Sequence, residues 1–166
     1  MYQRILVPVD GSETSDRGLD EALRLARLSA GSLRLIHVVD PLKYVPGYVT
    51  YAAYSSDLVP LMKEEGEKLL QRGRERAEGA GVKAETRLFM DAAALRLCDL
   101  VAQQANEWNA DLIVIGSHGR RGLERVLLGS DAEQILRVAP VPVLLVKATA
   151  SVPPDAGALP AVAIEA

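Results

Sequence analysis

Two hydrophobic rhythms alternate along the chain. Residues 5–9 (Ile-Leu-Val-Pro-Val), 33–39, 112–115 and 141–146 are short apolar runs rich in β-branched side chains, and they read as strands. From about residue 15 the spacing changes. Leu19, Ala22, Leu23 and Ala26 fall at i, i+3, i+4 and i+7, while Asp16, Arg17, Asp20, Glu21, Arg24 and Arg27 take the opposite face. That stripe predicts an amphipathic helix, and Gly31 is its expected stop. Residues 58–78 form a second, charged helical stretch with Leu61, Leu69 and Ala77 as buried candidates, ended by Gly79 and Gly81. Residues 82–89 alternate Val82, Ala84, Thr86 and Leu88 with Lys83, Glu85 and Arg87, as a half-exposed strand does. Residues 93–108 are helical again, with Ala94, Leu97, Cys98, Val101, Ala105 and Trp108 on one face, and residues 130–138 make a fourth helix.

Strands alternating with helices predict right-handed βαβ units and one open parallel sheet with helices on both faces. The first, fourth and fifth strands are almost wholly apolar, which fits a sheet covered on both sides. The alternating third strand suits an edge. Five such strands most often take the order 3-2-1-4-5, which makes this a single-domain α/β chain. Pro8 is unusual within a strand because it donates nothing to a ladder; it sits at the carboxyl end, where pairing is expected to stop. Two segments fall outside the pattern. Residues 40–57 have no period but hold four of the five tyrosines, Tyr44, Tyr48, Tyr51 and Tyr54, either packing the loop onto the body or forming a lid or partner surface. Residues 148–166 are rich in Ala and Pro and read as a tail after a domain spanning residues 1–147.

Composition narrows the function. The 166 residues carry a net charge of −3, so nothing in the overall field recommends nucleic acid or an anionic membrane as partner. No apolar run approaches the roughly 18 residues that cross a bilayer. The amino terminus has no room for a signal peptide's apolar core before the first strand. The single cysteine, Cys98, excludes an internal disulfide. A cytoplasmic protein is the expectation.

The chemistry concentrates between Ile115 and Asp131, in Ile-Gly-Ser-His-Gly-Arg-Arg-Gly-Leu-Glu-Arg-Val-Leu-Leu-Gly-Ser-Asp. Gly116 and Gly119 open a loop after an apolar strand, and Gly129 and Ser130 begin a helix. Glycines admit a ligand close to backbone N–H groups, and a helix start adds unpaired N–H groups and partial positive charge. With glycine near 7% of residues, chance places such a pattern in a chain this long well under about one time in fifty. Ordinary turn glycines beside an ordinary N-cap serine are the bland alternative. In a 3-2-1-4-5 sheet the chain reverses between strands 1 and 4, and ligands bind beyond the carboxyl ends at that switch point. Asp10 ends strand 1 and Gly116 ends strand 4, so topology and motif converge. Asp10 suits a ribose hydroxyl or a phosphate-bound metal, or simply accepts hydrogen bonds in a turn. Arg120 or Arg121 pairs with phosphate oxygens, or both are solvated. His37 in its apolar strand reads as a satisfied core histidine, and Cys98 and Trp108 as packing; His118 in the loop touches a phosphate, acts as a base or is simply exposed.

Residues 110–119 through Gly129-Ser130 resemble the universal stress proteins, more narrowly the subgroup that binds ATP through G-x-x-G-x9-G-[S/T]. Residues 5–12, 35–39 and 140–146 resemble that family's first, second and last strands, and the likeness covers about residues 2–147. It implies a Rossmann-like fold and a site for ATP, or ADP or AMP, with Mg²⁺ or Mn²⁺ on the nucleotide. It adds Pro8 and Val9 to the site, together with Val38, whose backbone in ATP-binding relatives reads the adenine edge. The implied nucleotide contacts are then Pro8, Val9, Asp10, Val38, Ile115, Gly116, Ser117, Gly119, Arg120, Gly129, Ser130 and Asp131. It also implies an antiparallel homodimer through residues 143–146, an apolar edge with nothing guarding it, and possible higher oligomers. Two departures stand out. Asp131 lies where relatives carry a small or apolar residue, and would repel a phosphate unless a metal lies between. Met90-Asp91 replaces a frequent glycine.

Three readings compete on these residues. One is an ATP-binding regulatory or stress-response protein acting on a protein partner, with at most slow hydrolysis. Another is a true ATPase or phosphotransferase, against which stands the lack of a Walker or kinase motif. The third is a dimeric interaction module without nucleotide, against which stands the intact glycine pattern.

Overall fold

Residues 2–39, 58–90, 96–117 and 129–147 are described by the computed structural model. The apolar runs become β1 (Arg4–Pro8), β2 (Ser32–Val39), β3 (Lys83–Met90), β4 (Leu112–Gly116) and β5 (Val143–Val146). The periodic stretches become α1 (Glu13–Ser29), α2 (Leu58–Gly79), α3 (Leu97–Glu107) and α4 (Ser130–Val138). All neighbouring strands are parallel, in the order β3-β2-β1-β4-β5. The expected architecture is the observed one. The tyrosine-rich connection, the 148–166 tail, Ala93 and Ala94, and residues 118–128 lie outside the described residues.

Strand alternation sends side chains to two separate cores. Ile5, Val7, Leu33, Leu35, Leu112 and Val114 meet α1 and α2 on one face. Leu6, Ile36, Ile113 and Ile115 meet Cys98 and Val101 of α3 and Ala132 and Ile135 of α4 on the other. The stripe read on α1 holds: Leu19, Ala22, Leu23 and Ala26 are all buried. Leu61 does not follow its expectation and is 57% exposed. The period of α2 places Leu69 and Ala77 in the core. Cys98 is buried as packing. Among the described residues no helix is long and apolar enough to cross a membrane.

Helix α1 starts two residues earlier than expected because Ser12 caps it. The Ser12 hydroxyl accepts the Ser15 N–H at 3.2 Å. Its other end closes with Ala30 in the left-handed region (φ 50°), where the N–H groups of Ala30 and Gly31 both reach the Ala26 carbonyl. Left-handed backbone costs an alanine about 1–2 kcal/mol, partly offset in a glycine variant by the greater freedom of its unfolded chain. Ala30→Gly is therefore expected to stabilise the fold by about 0.5–1 kcal/mol, read as a rise in the urea midpoint at constant slope.

Candidate functional site

The carboxyl ends of β1 and β4 open a crevice because the ladders there stop early. Pairing of β1 with β2 continues to Pro8–Ile36, whereas pairing of β1 with β4 ends at Leu6–Ile113. Pro8 has no N–H to continue the β4 side, so the two central strands part at the point that topology marks as the switch.

Asp10 sits at the tip of β1. Its Oδ1 accepts the Ser12 N–H at 2.9 Å, and its own N–H donates to the Ser15 hydroxyl at 3.2 Å. Gly11 between them has φ 77°, the left-handed conformation this tight turn requires. The bland role for Asp10, a turn acceptor, is thus fulfilled. Ser12 and Ser15 tie the acid to the α1 start. The Ser-x-x-Ser spacing just after Asp10 is the sequence signal for them.

On β4, Gly116 has an unexpected neighbour. A Cβ there would lie 2.7 Å from the Thr14 carbonyl carbon and 2.9 Å from the Ser15 nitrogen, both main-chain atoms. The first turn of α1 rests directly on the Gly116 backbone. Glycine at this position answers first to close helix–strand packing.

The glycine loop is drawn closed at its base. Ser117, 2% exposed, donates its N–H to Val146 at 2.8 Å, and its carbonyl accepts the Gly129 N–H at 2.9 Å. Gly116-Ser117 and Gly129-Ser130 are therefore brought together although the sequence separates them. Gly129 is the N-cap of α4 and offers no side-chain cap; the first intrahelical bond runs from the Glu133 N–H to the Gly129 carbonyl at 2.9 Å. The amides of the first turn lie ahead of that bond, and a helix supplies no partner for them. Asp131 and Glu133 stand in the same turn, where the helix dipole favours carboxylates.

Val9 is buried and Ile115 is 4% exposed, so their side chains hold the floor while their main chain borders the crevice. Val38 lies on β2, two residues beyond Ile36, the last partner of β1. Gly119, Arg120, Arg121 and His118 lie outside the described residues. At the rim, the Arg96 guanidinium forks onto Asp99 at 2.8 and 3.0 Å, and this hydrogen bond holds the Asp99 carboxyl below the usual carboxylate range. Among the described residues no group of three His, Cys, Asp or Glu side chains is placed to hold a metal.

The fold defines an open, doubly wound α/β protein, a class in which ligands bind at the switch point of the sheet, here between β1 and β4. The chain belongs to the universal stress protein family, whose pattern matches residues 1–147. Universal stress protein MJ0531 of Methanocaldococcus jannaschii is 36% identical over 149 residues, which is 89% of this chain and 83% of that protein. Among solved structures, the hypothetical protein MJ0577, studied for structure-based assignment of biochemical function, superposes with a TM-score of 0.78. It is 27% identical, over 91% of this chain and 99% of that one. A universal stress protein in complex with cAMP superposes with a TM-score of 0.61 at 26% identity, over 88% and 97% of the two chains.

Proposed function

We propose that this chain binds an adenine nucleotide, ATP in particular, in the β1–β4 crevice, and that the bound state governs contact with a regulated protein partner in the cytoplasm. One observation carries the reading: the ends of the glycine loop, Ser117 and Gly129, are hydrogen-bonded to each other beside a helix start without a side-chain cap. A relative solved with cAMP supports the adenine nucleotide as the class of ligand. In this reading the Gly116, Gly119 and Gly129 amides and the Ser130 hydroxyl meet the phosphates, with Arg120 beside them. Ser117 closes the loop base, and Asp10 faces the ribose. Pro8, Val9, Val38 and Ile115 line the base side.

Mg²⁺ or Mn²⁺ fits as a passenger on the phosphates. Among the described residues Asp10 and Asp131 are the carboxylates nearest the glycine-loop ends, and Mg²⁺ is commonly held by one or two carboxylates plus substrate phosphates. The metal would also screen Asp131 from the phosphates. The chain carries no Walker or kinase-type catalytic motif, and in this reading hydrolysis is at most slow.

Isothermal titration tests the site. Gly129→Glu and Asp10→Ala are each expected to weaken ATP at least about tenfold, or about 1.4 kcal/mol, when titrated under conditions where the variant is folded. Asp10→Ala also loses the bond to the Ser12 N–H and is expected to lower its urea midpoint by the equivalent of about 1 kcal/mol. Parental affinity in both variants removes the assignment. The same reading takes residues 1–147 as the working domain, and includes a homodimer through β5. The β5 side chains are half-buried in the single chain, and its outer backbone faces no described strand. Sedimentation velocity showing only monomer at every concentration removes the dimer.

A further inference from the structure

His37 is the satisfied core histidine its apolar strand leads one to expect, and the partner that satisfies it is a particular one. Its Nδ1 lies 2.7 Å from the Val9 carbonyl oxygen, in a buried setting. A carbonyl can only accept, so Nδ1 carries the proton and the tautomer is set. The place of this bond in the ladder is what matters.

In a parallel sheet each residue turns its N–H and C=O to the same side, and successive residues turn to opposite sides. Pro8 pairs with Ile36, and the Val9 N–H donates to the Ile36 carbonyl at 2.8 Å. The next rung would run from the Val38 N–H to the Val9 carbonyl. β1 nevertheless ends at Pro8 while β2 continues to Val39. The missing rung is the one whose acceptor His37 has taken. By the same alternation the Val38 N–H and C=O point to the β1 side, beyond the last rung, at the crevice.

The rest of the structure holds the ring to this task. His37 is 7% exposed, and α2 crosses above it at Gly66, where a Cβ would lie 3.0 Å from His37 Cδ2 and 2.8 Å from Leu88 Cδ1. A glycine inside a helix costs about 1 kcal/mol relative to alanine, and here it makes room for the imidazole.

We propose that His37 is a positioning residue for the purine. By capping the Val9 carbonyl it ends the β1–β2 ladder one rung early and keeps the Val38 peptide edge open to the base. This rests on the adenine-nucleotide reading above. A peptide edge presents one donor and one acceptor side by side, matching the ring nitrogen and amino group of adenine. Guanine presents a carbonyl oxygen where adenine has its amine, which sets acceptor against acceptor. A site that leaves such groups unpaired rejects the wrong base.

The test uses the full chain with His37→Leu, His37→Asn and, should the leucine variant not fold, Gly66→Ala, which crowds the ring from above. Asparagine places an amide N–H close to where Nδ1 stands. Without nucleotide, Val38 amide exchange followed by NMR is expected to slow at least about tenfold in His37→Leu, as the Val9 carbonyl returns to the ladder, and to stay at the parental rate in His37→Asn. Gly66→Ala is expected to fall between. Equal Val38 exchange in all of them overturns the ladder role. In titrations with ATP and GTP, the preference for ATP is expected to fall about fivefold in His37→Leu and to recover in His37→Asn. Changed exchange with an unchanged preference overturns the purine role. A parent that binds neither nucleotide overturns the adenine reading and the purine role together, and the exchange data then decide the ladder role by themselves.

Discussion

Gly116→Ala is expected to lower stability by about 2–3 kcal/mol and to weaken nucleotide binding with it. The added methyl would lie 2.7 and 2.8 Å from the Thr14 carbonyl carbon and oxygen and 2.9 Å from the Ser15 nitrogen. All three are backbone atoms, so no side chain can swing aside; the α1 start has to move away from β4. Overpacking a tight interior costs about 1–3 kcal/mol, and the rigid neighbours put this site at the upper end. The displaced turn is the one that holds Asp10, through the Ser12 N–H and the Ser15 hydroxyl. Loss of affinity is therefore expected even under conditions where the variant is folded. Urea unfolding gives the first quantity and titration of the folded variant the second. Gly79→Ala is the control, since nothing lies within 4 Å of a Cβ there, and its midpoint is expected not to fall. A Gly116→Ala protein as stable as the parent would mean that α1 does not seat on β4 as described.

Glu85→Ala is expected to cost about 2–3 kcal/mol, far more than an ordinary surface charge. Its partner Arg34 has a side chain only 10% exposed, with Nη2 at 2.8 Å and Nε at 2.9 Å from Glu85 Oε1. Arg34 Nη1 reaches Gln104 Oε1 at 3.3 Å, and the guanidinium lies 4.9 Å from the centre of the Trp108 ring. Removing the carboxylate leaves a desolvated cation with an amide and a ring for company. Breaking a fully buried pair this way costs about 3–5 kcal/mol. Glu85 itself is 42% exposed, which lowers the figure. The double variant Arg34→Met, Glu85→Leu is expected to recover most of the loss, because no buried charge is left behind. By contrast, the exposed Arg17–Glu13 pair on α1 contributes about 0.3–0.5 kcal/mol. Denaturant midpoints of the two single variants and the double variant measure the difference; a Glu85→Ala loss no larger than that of Glu13→Ala would refute the account.

These two sites also mark the boundary of what reading the chain could reach. The sequence alone determined the alternation of strands and helices, the faces that α1 and α3 bury, the strand order and the glycine loop at its switch point. It did so because hydrophobic period and turn residues are local, and the βαβ connection rule converts local order into topology. The helix ends were legible less well: α1 begins at Glu13 because a serine hydroxyl caps it, and Leu61, read as buried, is exposed.

Only the tertiary structure decided which partners those faces meet. Arg34 finds Glu85 across 51 residues and Gln104 across 70, and His37 finds the Val9 carbonyl across 28. In the sequence Glu85 reads as the wet side of an edge strand, His37 as a core histidine satisfied by a partner the sequence does not name, and Gly116 as a ligand contact with no sign that a helix seats on it. Period tells which way a residue points, but burial of a charge, the end of a ladder and the closeness of two backbones are set by what stands opposite. That information exists only once the five strands are side by side.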